Sequence, residues 1–141
     1  MSYGFFYDST PFRLRNKSRY SRWLEKVIAS EKKKQGEINY IFCSDPVILR
    51  LNKQFLKHNY YTDIITFDYS VKDVISGEIY VSADTVSYNA LKFKSAPAQE
   101  MRRVMVHGVL HLCGYKDKSE RDKETMRNKE DFYLNLWHQI K

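Results

Sequence analysis

The sequence predicts an α+β fold, and three observations carry that prediction. Four short segments, Tyr3 to Tyr7, Glu37 to Cys43, Thr62 to Phe67 and Glu78 to Ser82, are rich in aromatic and β-branched residues and read as strands. Five segments space their apolar residues with helical period. Neither an internal repeat nor a low-complexity linker interrupts the 141 residues, so residues 1–141 are expected to form one domain with its own core.

In chain order, the first strand ends at the breaker run Ser9-Thr10-Pro11. From about Lys17, the spacing of Tyr20, Trp23, Leu24, Val27 and Ile28 predicts a helix that Gly36 closes, with Lys32, Lys33 and Lys34 solvated in its last turn. After the second strand, Ser44-Asp45-Pro46 starts a short helix whose buried stripe is expected to be Val47, Leu51 and Phe55. The stretch from Lys57 through Tyr61 is polar and aromatic, suited equally to an ordinary connection and to the rim of an RNA site. The third and fourth strands are close enough in sequence to pair as a hairpin. Ser82 caps a helix through Val86, Ala90 and Phe93, and Ser95-Ala96-Pro97 opens a longer one. Ser119-Glu120-Arg121-Asp122 begins a last helix that packs through Met126, Tyr133 and Trp137, its mixed charges facing solvent.

The longer helix carries the chemistry. His107 and His111 are four residues apart and so share a helix face, close enough to hold one cation between them. Gly114 suits the left-handed position that ends a helix, after which the chain can fold back and offer Asp117 as a third ligand. Three protein ligands leave one tetrahedral position for water, whose pKa on zinc falls to about 7, which is the chemistry of a hydrolase. Histidine pairs at this spacing also occur in helices that bind nothing, and the carboxylate placed after the helix-ending glycine favours the metal reading. Cys113, two residues beyond His111, is turned away from that face and reads as a buried thiol. Glu100 shares the histidine sector but lies about two turns upstream, where a carboxylate favours the positive end of the helix. Gly108 lets a neighbouring element approach between the imidazoles.

Composition narrows the function. A formal net charge of +7 favours polyanionic partners through counterion release, and eleven tyrosines add stacking surface. Two cysteines, no basic-apolar leader and no apolar run of membrane length lead us to expect a cytoplasmic protein with no membrane partner.

The run His107-Gly108-Val109-Leu110-His111-Leu112-Cys113-Gly114-Tyr115 resembles the HGxLHLxGY motif of the YbeY family of bacterial endoribonucleases. Leu51-Asn52 with Thr62-Asp63-Ile64-Ile65-Thr66-Phe67 is similar to a second family block, and Ser76-Gly77-Glu78-Ile79-Tyr80-Val81-Ser82 to a third. The resemblance implies a small zincin-like α+β domain: a four-stranded mixed sheet, about five helices and a metal site at the end of a long helix. It further implies zinc, about one ion per chain, held by His107, His111 and Asp117, which act catalytically through that ion and its water. The family motif usually continues Asp-His, where this chain has Lys116-Asp117, so a harder oxygen ligand stands where a nitrogen is usual and could tilt selectivity toward other divalent ions. An arginine that the family commonly uses on RNA is Leu56 here, and Lys57 and His58 beside it are the candidates to contact RNA.

The activity implied is cleavage of single-stranded RNA in ribosomal RNA maturation and ribosome quality control, with ribosomal RNA and the ribosome as partners and no DNA. Two alternatives differ in class. A zinc metallopeptidase of the HExxH kind needs a glutamate general base where this chain has Gly108. A metal-stabilised, ribosome-associated RNA-binding protein with little catalysis is less remote for having Leu56 in the arginine position. Water and the RNA 2′-hydroxyl both remain open as the nucleophile.

Overall fold

The computed structural model describes residues 2–56 and 62–141. Alternation in β2 (Lys34–Cys43) sends Ile38, Tyr40 and Phe42 to one face, where all three are fully buried. β1 (Ser2–Asp8) runs parallel to β2, and the rings of Phe5 and Tyr7 stack on those of Tyr40 and Phe42 at 6.0 and 5.7 Å between centroids. β4 (Val74–Ser82) is parallel to β2 on its other side, and β3 (Ile64–Asp68) pairs antiparallel with β4. The result is the expected four-stranded mixed sheet, in the order β1-β2-β4-β3, with β3 at an edge.

Among the described residues, five α-helices accompany it: α1 (Lys17–Ser30), α2 (Asp45–Leu51), α3 (Ala83–Lys92), α4 (Pro97–Leu112) and α5 (Glu120–Trp137). The apolar stripe of α1 is buried as its spacing predicts, and the Trp23 indole donates a hydrogen bond of 2.8 Å to the Tyr133 carbonyl of α5. α4 lies against β3, β4, α1, α3 and α5, with Met101, Val104, Met105 and Val109 buried, and Tyr40 donates to its Met105 carbonyl at 2.8 Å. Ser82 caps α3 by accepting from the Thr85 amide at 3.1 Å, and Ser119 and Asp122 form a reciprocal capping box on α5.

Two local expectations fail. Helix α1 stops at Ser30, six residues before Gly36: Lys32 takes a left-handed φ of 62°, and the Lys32 and Lys33 amides donate to the Ala29 and Ile28 carbonyls, a Schellman closure without glycine. Gly36 lies inside β2, where the register against β4 shifts between Gln35 and Ile38, and Lys34 begins that strand instead of ending a helix. Phe55 is 55% exposed, because α2 widens into a π-helical turn at Asn52–Leu56 that carries Phe55 off the Val47 stripe and onto the edge of Phe67.

Candidate metal centre

The end of α4 shapes the site. Gly114 has φ 108°, its amide donates to the His111 carbonyl and the Tyr115 amide to the Leu110 carbonyl, each at 3.0 Å. This Schellman motif satisfies the last helical carbonyls and turns the chain back beside its own helix. The reversal brings Asp117 to the histidines: its Oδ2 lies 3.3 Å from His107 Nε2 and 3.5 Å from His111 Nε2. One ligand atom from each of the three residues fits within 4.8 Å of the others, as ligands of a single ion must.

The far sides of both imidazoles are tethered. His111 Nδ1–H donates to the Tyr115 carbonyl at 2.9 Å, so the motif that ends the helix also orients its last histidine. His107 Nδ1–H donates to Glu130 Oε2 at 2.6 Å. Both bonds leave Nε2 as the free lone pair pointing at Asp117, the tautomer a metal ligand requires. Burial opposes protonation of His107, but Glu130, Asp117 and Asp63 outweigh it and raise its pKa above that of an ordinary imidazole, so a proton and a cation compete for Nε2.

Glu130 is 8% exposed at its side chain and is itself held: Arg103 donates to its Oε1 at 2.8 Å and to Asp131 at 2.7 Å. Sequence reasoning missed this pair by assigning the charges of α5 to solvent. The signal was present, since Glu130 falls on the same stripe as Met126, Tyr133 and Trp137, a carboxylate among core positions.

Above His107, His111 and Asp117 opens a cleft of about 520 Å³, walled by β3, α4 and α5. Gly108 lets the sheet close in as expected: a Cβ there would stand 2.9 Å from Ile64 and from Ile79. Glu100 is buried in the cleft wall, and burial raises its pKa and that of Asp63 above the usual carboxylate range. Its place at the start of α4 is as expected, and it stands apart from the three ligand atoms. Cys113 packs against the core, outside the ligand cluster, its thiol pushed up to about 11 by burial. Leu56 lines the cleft mouth, as does Arg127 of α5, which is exposed and makes no ion pair among the described residues. Lys57 and His58 lie outside the described residues.

Residues 8–138 match the family described as Endoribonuclease YbeY. The chain is similar to the Endoribonuclease YbeY of Flavobacterium psychrophilum, at 52% identity over 90% of this chain and 91% of that one. It is also similar to that of Bacteroides thetaiotaomicron, at 49% identity over 82% and 85%. Among solved structures, a solution structure of a Thermotoga maritima protein matches with a TM-score of 0.65 and 28% identity, over 94% of this chain and 88% of that one.

Proposed function

The chain belongs to the YbeY endoribonuclease family, and from that premise we propose that it cleaves single-stranded RNA with the aid of one zinc ion held by His107, His111 and Asp117. Residues 1–141 act as one domain in ribosomal RNA maturation and ribosome quality control, in the cytoplasm where ribosomes assemble. None of the helices among the described residues is long and apolar enough to cross a membrane.

The observation that carries this reading is the convergence of two tethered imidazoles and one carboxylate at the base of an open cleft. That donor set fits zinc, with two nitrogens, one oxygen and a side that faces the cleft. A bound ion would supply Lewis acidity, polarising the scissile phosphate and acidifying a coordinated water. The protein's own residues do the remainder. Glu130 and the Tyr115 carbonyl fix the two imidazoles before substrate arrives, and Arg103 keeps the buried Glu130 charge compensated. Arg127, the cleft cation without an ion pair among the described residues, holds the phosphate and takes the part that Leu56 cannot. The edge strand β3 and Phe93 border the groove along which the RNA lies.

The metallopeptidase alternative fits poorly. Packing by Ile64 and Ile79 leaves no room for a side chain at position 108, so the helix has no general base there. The reading as a binder with little turnover drew on Leu56, and Arg127, which lines the same cleft, supports the catalytic reading by offering a guanidinium there. Metal analysis of the purified protein beside a ribonuclease assay tests the proposal: about one divalent ion per chain and cleavage of single-stranded RNA are expected, and both should fall with His111→Ala. RNA left intact by fully metal-loaded protein would contradict it.

A further inference from the structure

We propose that an arginine-lined hollow beside the start of α4 is an exosite that holds backbone phosphates of RNA beyond the segment being cleaved, an inference that rests on the endoribonuclease reading above. The hollow, about 430 Å³, lies between residues 12–20, the start of α3, the first turns of α4 and the end of α5. Arg13, Arg15, Arg19 and Arg102 stand in its wall, and its lining includes neither Asp nor Glu. Among the described residues, none of the four makes an ion pair. Four like charges gathered without a counterion repel one another, and an external anion relieves the repulsion.

Trp137 organises the group. The guanidinium carbon of Arg19 lies 4.0 Å from the centroid of its ring and that of Arg102 4.6 Å, and Arg19 donates to the Trp137 carbonyl at 2.9 Å. The Nε atoms of both arginines are enclosed and lack an acceptor among the described residues. Arg13 is held in turn by the Thr10 and Phe12 carbonyls, at 2.9 and 2.7 Å, and by the ring of Tyr7. Guanidiniums stacked in this way have little rotamer freedom left to lose when they meet a ligand.

The chemistry selects phosphate over base. Trp137 would be the natural stacking platform, but the two guanidiniums, Trp23 and Tyr20 already pack against it. What remains on offer is guanidinium edges, which match paired phosphate oxygens. RNA presents such oxygens at every nucleotide, and the cleft on the other flank of α4 handles the same polymer. Glu130 in the cleft wall and Trp137 in the hollow are seven residues apart on α5, about 10 Å along the helix. A single strand that fills the cleft and continues past it bridges that gap.

The test measures RNA affinity by fluorescence anisotropy over a salt series, using full-length His111→Ala protein so that no cleavage intervenes. One RNA has about 20 nucleotides and the other about three, too short to fill both sites. Arg15→Glu and the pair Arg19→Gln with Arg102→Gln are compared on this background; Arg15 is exposed and makes no hydrogen bond or ion pair among the described residues, so its variant keeps the fold. The long RNA should bind about tenfold more weakly, with a salt slope shallower by about one for each phosphate that is no longer neutralised, and the short RNA should bind unchanged. In the cleavage-competent protein, the same substitutions should raise KM for the long RNA and leave kcat alone. Unchanged long-RNA affinity in Arg15→Glu, equal losses for both lengths, or tighter binding of polyglutamate than of RNA would each overturn the exosite. If the native protein cleaves RNA but the arginine variants bind it equally well, the exosite falls and the nuclease reading stands. If binding depends on these arginines but RNA stays intact, the hollow stands as an RNA-phosphate site and the nuclease reading falls.

Discussion

The two hollows that flank α4 differ most in what neutralises their charges. Among the described residues of the metal cleft, each basic side chain except Arg127 has a carboxylate beside it: the His107 ring meets Glu130 and Asp117, the His111 ring meets Asp117, and Arg103 meets Glu130 and Asp131. The other hollow, among the described residues, has four arginines and no carboxylate in its lining. Acidic groups in excess of cations suit the first to a metal ion, and their absence suits the second to phosphate. The exception in the cleft is Arg127, which brings to the metal side the kind of group that fills the other hollow. One helix thus places the proposed cation site and the proposed anion site where a single RNA strand can reach both.

Substitutions on the metal side should separate the roles of the two hollows. The largest effect is expected from His111→Ala, which removes a proposed ligand: metal content and cleavage should both drop to background, while the affinity of long RNA for the arginine hollow persists. Next is Glu130→Gln, which keeps the shape but removes the charge that orients His107 and pairs with Arg103. Zinc affinity, read by competition with a chelating dye, should fall about 10- to 100-fold. Arg127→Ala should lower kcat/KM about tenfold or more, as expected for one lost charged hydrogen bond to phosphate, with zinc affinity unchanged. Adding Leu56→Arg to Arg127→Ala should restore part of that loss, because both positions line the same mouth.

The smallest effect on chemistry is expected at Glu31, a buried carboxylate outside both hollows. It accepts from Tyr115 at 2.7 Å, from Lys129 at 3.1 Å and from the Tyr133 hydroxyl. Burial pushes its pKa up, but those bonds and the Lys129 charge outweigh burial and hold it below the usual carboxylate value. A depressed folded-state pKa gives stability that is present above the unfolded-state pKa and lost as pH falls through the folded one. Glu31→Gln should therefore cost about 1–3 kcal/mol in urea denaturation at neutral pH, and the difference from the native protein should shrink in acid.

The grouping of His107, His111 and Asp117 was legible in the sequence because its geometry is local. A helical repeat of four sets the two histidines side by side, and a glycine ending the helix sets the return of Asp117. The sheet and its helices were legible through period, and the boundaries failed where period stops being informative. Lys32 took the left-handed role expected of Gly36, and a π-turn shifted Phe55 out of phase. Glu130 is 23 residues from its histidine, so only its misfit on an apolar stripe announced it. The arginine hollow left no comparable trace, because it draws its wall from four distant segments that only the packed fold brings together.

Cobalt substitution read by visible absorption tests the metal centre most directly, because an open-shell ion reports the number and symmetry of its ligands. About one cobalt per chain is expected, with the intense bands of a four-coordinate site, lost in His107→Ala and in His111→Ala and altered in Asp117→Ala. Bands that survive Asp117→Ala unchanged, or the weak absorption of a six-coordinate ion in the native protein, would contradict it.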